Sequence, residues 1–149
     1  MKILVDADSC PRAARDIVLR RARQLNIRLI FAANRQIPGS EGAQMVICPT
    51  GDNSADNRIV ELAEKNDLAV TRDVPLAKRL VEKDVSVMDE RGRVFTADNI
   101  NEMLSLRNFA VGLADNGLEI MRIANYGKKE LKLFADSLDR LLAKIIKNR

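Results

Sequence analysis

Residues 2–11 read KILVDADSCP, and the fold turns on them. Ile3, Leu4 and Val5 form a short apolar run that gives way to Asp6 and Asp8. Such a run, bounded by polar residues, predicts a strand over Lys2–Ala7 that is buried on both faces. Pro11 then opens a helix running to about Gln24, since its missing N–H is one the first helical turn does not need. Ala14, Ile17, Val18, Ala22 and Leu25 give that helix an apolar face, with Arg12, Arg15, Arg20 and Arg23 on the other side. A buried strand that ends in carboxylates and leads into a helix is the start of a βαβ unit.

Working outward, the same alternation continues. Ile27–Ala32 and Gln44–Cys48 read as strands, separated by a polar loop over Asn34–Gly42 that holds Pro38, Gly39 and Gly42. PTGDN at 49–53 reads as a turn. Ser54–Lys65 is predicted helical, Leu68–Thr71 a strand, Val74–Lys83 a helix and Val85–Met88 a strand. Arg91-Gly92 marks a turn, and Asn99–Arg107 is predicted helical. Residues 108–128 show no clear period. Glu130–Lys147 is amphipathic, with Leu131, Phe134, Leu138, Leu141, Leu142 and Ile145 on one face. The expected architecture is a single α/β domain over 1–149, three layers deep, with a mostly parallel central sheet of about five strands. The last helix, at about 130–147, is expected to pack onto it.

Composition narrows the chemistry. The chain of 149 residues has no His, no Trp and 2 Cys. That excludes Ser-His-Asp and Cys-His machinery and any His/Cys zinc site. Cysteines this few suit a reducing cytoplasm, and no targeting segment or membrane span is visible. Charge is uneven: residues 1–35 carry 8 basic and 3 acidic groups, residues 119–149 carry 8 and 4, and the stretch between carries 9 and 14. Basic ends around an acidic middle suit a polyanion held near a cation, although a solvated mixed surface has the same composition.

In a parallel sheet, ligands bind at the C-terminal ends of the strands. Asp6 and Asp8 follow the first strand, Asp56 lies in the first turn of the helix after the third, and Asp73 follows Leu68–Thr71. Each also has a local explanation. Asp8 or Ser9 can cap the helix at Pro11, Asp73 can cap the helix at Val74, and Asp56 suits the positive end of its own helix. Brought together, four carboxylates repel, and either protons or a cation must relieve them. Oxygen donors without His or thiolate favour Mg²⁺ or Mn²⁺. Such ions commonly serve the hydrolysis of phosphate esters.

The motifs VDADSCP (5–11), SADNRIVELA (54–63), VTRDVPLA (70–77), Arg91-Gly92 with Asn99-Ile100, and the late FADSLDRLL (134–142) together resemble the YaiI/YqxD family of uncharacterised bacterial proteins. That family is grouped with PIN-like domains. The resemblance implies a PIN-like fold and a divalent-metal-dependent nuclease acting on RNA, with Asp6, Asp8, Asp56 and Asp73 as metal ligands and catalytic residues. Asn53 and Asn57 depart from the family pattern, which is usually acidic there. Asn53 or Ser54 is expected to orient a ligand, and Arg12 and Arg72 to contact phosphate, with Arg15, Arg35, Lys128 and Lys129 as further candidates.

Other readings stay open. The same fold can serve as an inactive nucleic-acid or protein binding module. Asp6-Ala7-Asp8 after a strand also suits an aspartyl-type phosphatase, with Lys78 and Asp73 in supporting roles. Cys10 at a helix start could carry a lowered pKa, or it could simply be a packed thiol. The seam on the last helix admits a homodimer, or packing on its own sheet.

Overall fold

A computed structural model describes residues 1–49, 54–115 and 126–148. In chain order it holds β1 (Lys2–Asp6), a single 3₁₀ turn (Ala7–Ser9), α1 (Arg12–Leu25), β2 (Arg28–Ala33), β3 (Gln44–Ile47) and α2 (Ser54–Leu62). Then follow β4 (Leu68–Val70), α3 (Val74–Val81), β5 (Ser86–Met88), β6 (Val94–Phe95), α4 (Ile100–Asp115) and α5 (Lys128–Asn148). The strands form one sheet of order β3-β2-β1-β4-β5-β6. The first five are parallel, and β6 pairs antiparallel with β5 through Val87↔Phe95 and Met88↔Val94.

Side-chain alternation along β1 divides the core into two. Ile3 and Val5 face α1 and α5, where Ile17, Val18, Phe134, Leu138 and Leu142 are buried. Leu4 faces the other way, with Ile59 of α2, Leu76 and Leu80 of α3 and Ile100 of α4. Helices therefore cover both faces, which is the three-layer α/β/α arrangement expected of strands buried on both sides. Burying a side chain such as Phe134 completely contributes about 1.5–3 kcal/mol.

The sheet has six strands rather than five. The extra one, β6, is two residues long and lies just past the Arg91-Gly92 turn. The strand-to-helix turn after β1 also differs from expectation. Neither Asp8 nor Ser9 caps α1, whose N-cap is Pro11 without a side-chain bond. The backbone turns through the 3₁₀ segment instead, and that frees both side chains for other partners. α1 ends on Asn26, whose left-handed φ of 53° suits the residue after a helix. α4 continues through residues left without a period in the sequence, and the rest of 108–128 lies partly outside the described residues.

Strand order reverses at β1. The chain leaves β1 toward α1 on one face, while it leaves the adjacent β4 toward α3 on the other. In open α/β sheets the crevice where ligands bind lies at such a switch point, here the C-terminal ends of β1 and β4.

Candidate active site at the strand-order switch

Asp6 is the last residue of β1, and Thr71 and Asp73 follow β4 beside it. Oδ2 of Asp6 accepts from the Thr71 hydroxyl at 3.0 Å and from the Ser9 hydroxyl at 3.1 Å. The same Thr71 oxygen accepts the Asp73 backbone N–H at 3.1 Å. Asp73 in turn caps α3, its Oδ1 accepting the Leu76 N–H at 3.1 Å, with Pro75 in the first turn of that helix. Asp8 is exposed, and its Oδ2 accepts the Asn34 N–H at 2.9 Å, which ties the β1 turn to the end of β2.

Asp56 reaches the crevice from the first turn of α2. Its pKa is pushed up to about 6, first by burial, then by the charge of Asp73, by a hydrogen bond shared with Asp73 and by the charge of Asp6, while Arg79 opposes. The Asp6 carboxyl is also raised, mainly by burial. The Thr71 and Ser9 hydroxyls work against that, and Asp73 and Asp8 add to it. Asp6, Asp56 and Asp73 therefore lie within electrostatic reach of one another, and Asp8 acts on Asp6 from the rim. Like charges this close disfavour ionisation of Asp56, and Arg79 offsets that only in part.

The cap reading of Asp73 is correct, one oxygen serving the helix, and its charge also acts on Asp6 and Asp56. Among the described residues no three acidic or thiol side chains are gathered into a group that could hold a metal ion as they stand. The donor chemistry nevertheless suits a hard cation. Mg²⁺ takes oxygen ligands, keeps several waters and often uses only one or two carboxylates.

The proposed phosphate contacts divide. Arg12 is exposed at the start of α1, with its guanidinium laid over Gly39. Arg72 is exposed after β4, and its charge acts on Glu90 beyond the end of β5. Arg15 is turned inward, donating to the Cys10 carbonyl at 2.6 Å. Ser54 donates its hydroxyl to the Pro49 carbonyl, which fixes the start of α2. Asn53 lies outside the described residues. Cys10 is buried, and burial pushes its thiol up to about 12, so it is a packed thiol and not an activated one.

A search for acids alone passes over Thr71, Ser9 and Arg79. Thr71 is 2% exposed, and a hydroxyl buried directly before Arg72-Asp73 must find partners at the strand end. Arg79 is legible as a basic residue nearly two turns past Asp73 on α3, where it donates to Asn57 at 3.0 Å beside Asp56.

These features define an α/β protein with an acidic crevice at the strand-order switch of a mostly parallel sheet. The chain belongs to the uncharacterised bacterial YaiI/YqxD family, DUF188, whose model matches residues 4–144. It is similar to a UPF0178 protein of Treponema denticola, 49% identical over 149 residues that cover 100% of this chain and 96% of the relative. A UPF0178 protein of Stutzerimonas stutzeri is 38% identical over 151 residues, with 100% of both chains covered. One from Treponema pallidum is 42% identical, covering 99% of this chain and 84% of its own. No solved structure matches the chain. Among the described residues no helix is long and apolar enough to cross a membrane.

Proposed function

We propose that the chain is a divalent-cation-dependent phosphodiesterase of the PIN-like type that cleaves RNA. The observation that carries this reading is the convergence of Asp6, Asp56 and Asp73, with Asp8 at the rim, on one crevice although they come from separate stretches of sequence. Mg²⁺ or Mn²⁺ would draw on oxygens of Asp6, Asp8, Asp56 and Asp73, which would have to close in around it. When bound, such an ion polarises a phosphoryl oxygen and makes water a better nucleophile near neutral pH.

The chain's own residues then divide the remaining work. Thr71 and Ser9 fix Oδ2 of Asp6, so the carboxylate does not have to reorganise when substrate arrives. The helix cap fixes Asp73 in the same way. Arg12 at the start of α1 and Arg72 after β4 would supply positive charge for the phosphate.

The test is cleavage of single-stranded RNA by the purified chain with Mn²⁺, with Asp6→Asn and Asp73→Asn as controls. Cleavage that needs Mn²⁺ and fails in both variants supports the reading. Cleavage that survives in both would overturn it, and so would the absence of cleavage across Mg²⁺ and Mn²⁺.

A further inference from the structure

The loop between β2 and β3 lies along α1 and passes beside two of that helix's arginines. Nη2 of Arg12 is 3.3 Å from where a Cβ at Gly39 would stand, and Nη2 of Arg23 is 3.7 Å from the same point at Gly42. Both glycines have left-handed φ, +76° and +97°. Positions 39 and 42 are three residues apart, so they are separated by at most about 11 Å. Both arginines are exposed, and among the described residues neither forms an ion pair. Acids are at hand: Asp16 is one turn on from Arg12, and Glu41 lies between the two glycines. The guanidiniums instead lie beside glycines that offer no counter-charge, and their positive charge is left for something else.

The loop itself is held. Asn34 is tied to Asp8 at 2.9 Å, Gln36 donates to the Ser40 hydroxyl at 3.1 Å, and Ser40 is buried. Exposed Arg35 follows Asn34 directly, so it stands at the Asp8 rim. An open hollow of about 430 Å³ lies in the loop, lined by Gln36, Pro38, Gly39, Ser40 and Met45 among others.

We propose that Arg23, Arg12 and Arg35, carried on α1 and the 34–43 loop, form a track for the sugar–phosphate backbone of a single nucleic-acid strand, leading it to the Asp8 end of the crevice. Guanidinium forks match phosphate oxygens and stay charged at any working pH. With aromatic residues at only 3%, the chain has little to stack bases on, so the track reads backbone and not base sequence. The strand's destination rests on the phosphodiesterase reading; its binding does not.

The experiment is fluorescence anisotropy of short labelled single-stranded RNA and DNA in EDTA, where no metal-dependent turnover occurs. At about 50 mM salt, Arg12→Gln, Arg23→Gln and Arg35→Gln should each weaken binding about three- to tenfold. Each should also lower the slope of log affinity against log salt by about 0.7. Lys65→Gln, an exposed cation at the opposite end of the sheet, should leave binding unchanged. Equal affinity for RNA and DNA assigns the phosphodiester alone as the ligand, and preference for RNA adds the ribose hydroxyl. The track is overturned if wild type binds neither strand, if Arg12→Gln and Arg23→Gln bind like wild type, or if Lys65→Gln loses as much as they do. Asp6→Asn separates the two readings: a variant that binds but still cleaves sinks the phosphodiesterase assignment and leaves the track standing.

Discussion

The Thr71 hydroxyl donates to Oδ2 of Asp6 across 3.0 Å, joining the ends of two neighbouring parallel strands at the point where strand order reverses. The same oxygen accepts the Asp73 N–H, so one buried side chain sets the spacing of two acids. Thr71→Val keeps the shape and removes both bonds. It leaves the Asp73 N–H without that acceptor and raises the Asp6 carboxyl further. The expected loss is about 1–3 kcal/mol, read by urea denaturation at neutral pH, with Thr71→Ser close to wild type. A loss below about 0.5 kcal/mol in Thr71→Val would mean the hydroxyl is not holding the site together.

The raised Asp56 carboxyl makes stability depend on pH in a defined direction. Its pKa is about 6 in the folded chain against 3.8 for the ordinary group, so between those values the folded state binds more protons than the unfolded one. Stability therefore falls as pH rises from about 4 to about 6 and stays lower above that. Asp6, also raised, adds in the same direction. Asp56→Asn removes the repulsion. It should be more stable than wild type at pH 8 and nearly equal to it below pH 4. Because Asp56 is only half-buried, solvent screening reduces the difference to about 1 kcal/mol. Urea titrations of both proteins across this range, without divalent cations, check it. Equal stability of the two at pH 8 would show that the carboxylates do not crowd one another.

Much of this arrangement is legible in the residues. The βαβ alternation follows from KILVDA, IRLIFA and LAVT, because strands buried on both faces leave continuous apolar runs. Asp6, Asp8 and Asp73 are legible because acids just past such runs lie at the strand ends, and Asp56 because it stands in the first turn of the helix after β3. What stays hidden has physical causes. β6 is Val94–Phe95 alone, too short for any period to show. α4 carries exposed Leu106 and Phe109, 62% and 66% accessible, as well as inward-facing Met103 and Leu104, so its apolar residues do not keep to one stripe. The partners of Asp8 and Ser9 depended on a 3₁₀ turn that displaces both from the helix cap. Thr71 reads as the last residue of a strand, and only its neighbours in space give it a second task.

Gly92 is fixed by the helix above it. Its φ is +86°, and a Cβ there would strike the Leu133 carbonyl of α5, lying 2.7 Å from the carbonyl carbon. The Ser137 hydroxyl donates to the Gly92 carbonyl at 2.6 Å, and the Tyr126 hydroxyl donates to the Glu90 carbonyl at 2.6 Å. The β5–β6 turn is thus clamped beneath α5. Gly92→Ala adds a left-handed alanine, costing about 1–2 kcal/mol, and a backbone collision on top of it. A total loss of about 3 kcal/mol or more is expected in urea denaturation. Gly112→Ala is the contrast, since a Cβ there meets nothing within 4 Å and alanine favours the helix. It should be neutral or stabilising by up to about 1 kcal/mol. Similar losses at both positions would show that α5 does not seat on Gly92.

Cation binding should reverse the pH effect, and it can be read without any substrate. If Mn²⁺ displaces the proton on Asp56, affinity rises with pH through about 6, because the site must lose that proton to bind. At a concentration one hundred times its dissociation constant, the ion stabilises the folded chain by about 2.7 kcal/mol. For a chain of this size that moves Tm upward by about 5–10 °C. Thermal melts with and without Mn²⁺ at pH 8 should show the full shift in wild type. At pH 5 the shift should be much smaller. Asp6→Asn and Asp73→Asn should show little at either pH, while Asp67→Asn should keep the wild-type shift. Asp67 is buried too, but it pairs with Lys2 at 2.7 Å at the other end of the sheet. The same Tm rise in Asp6→Asn as in wild type would place the cation elsewhere on the molecule.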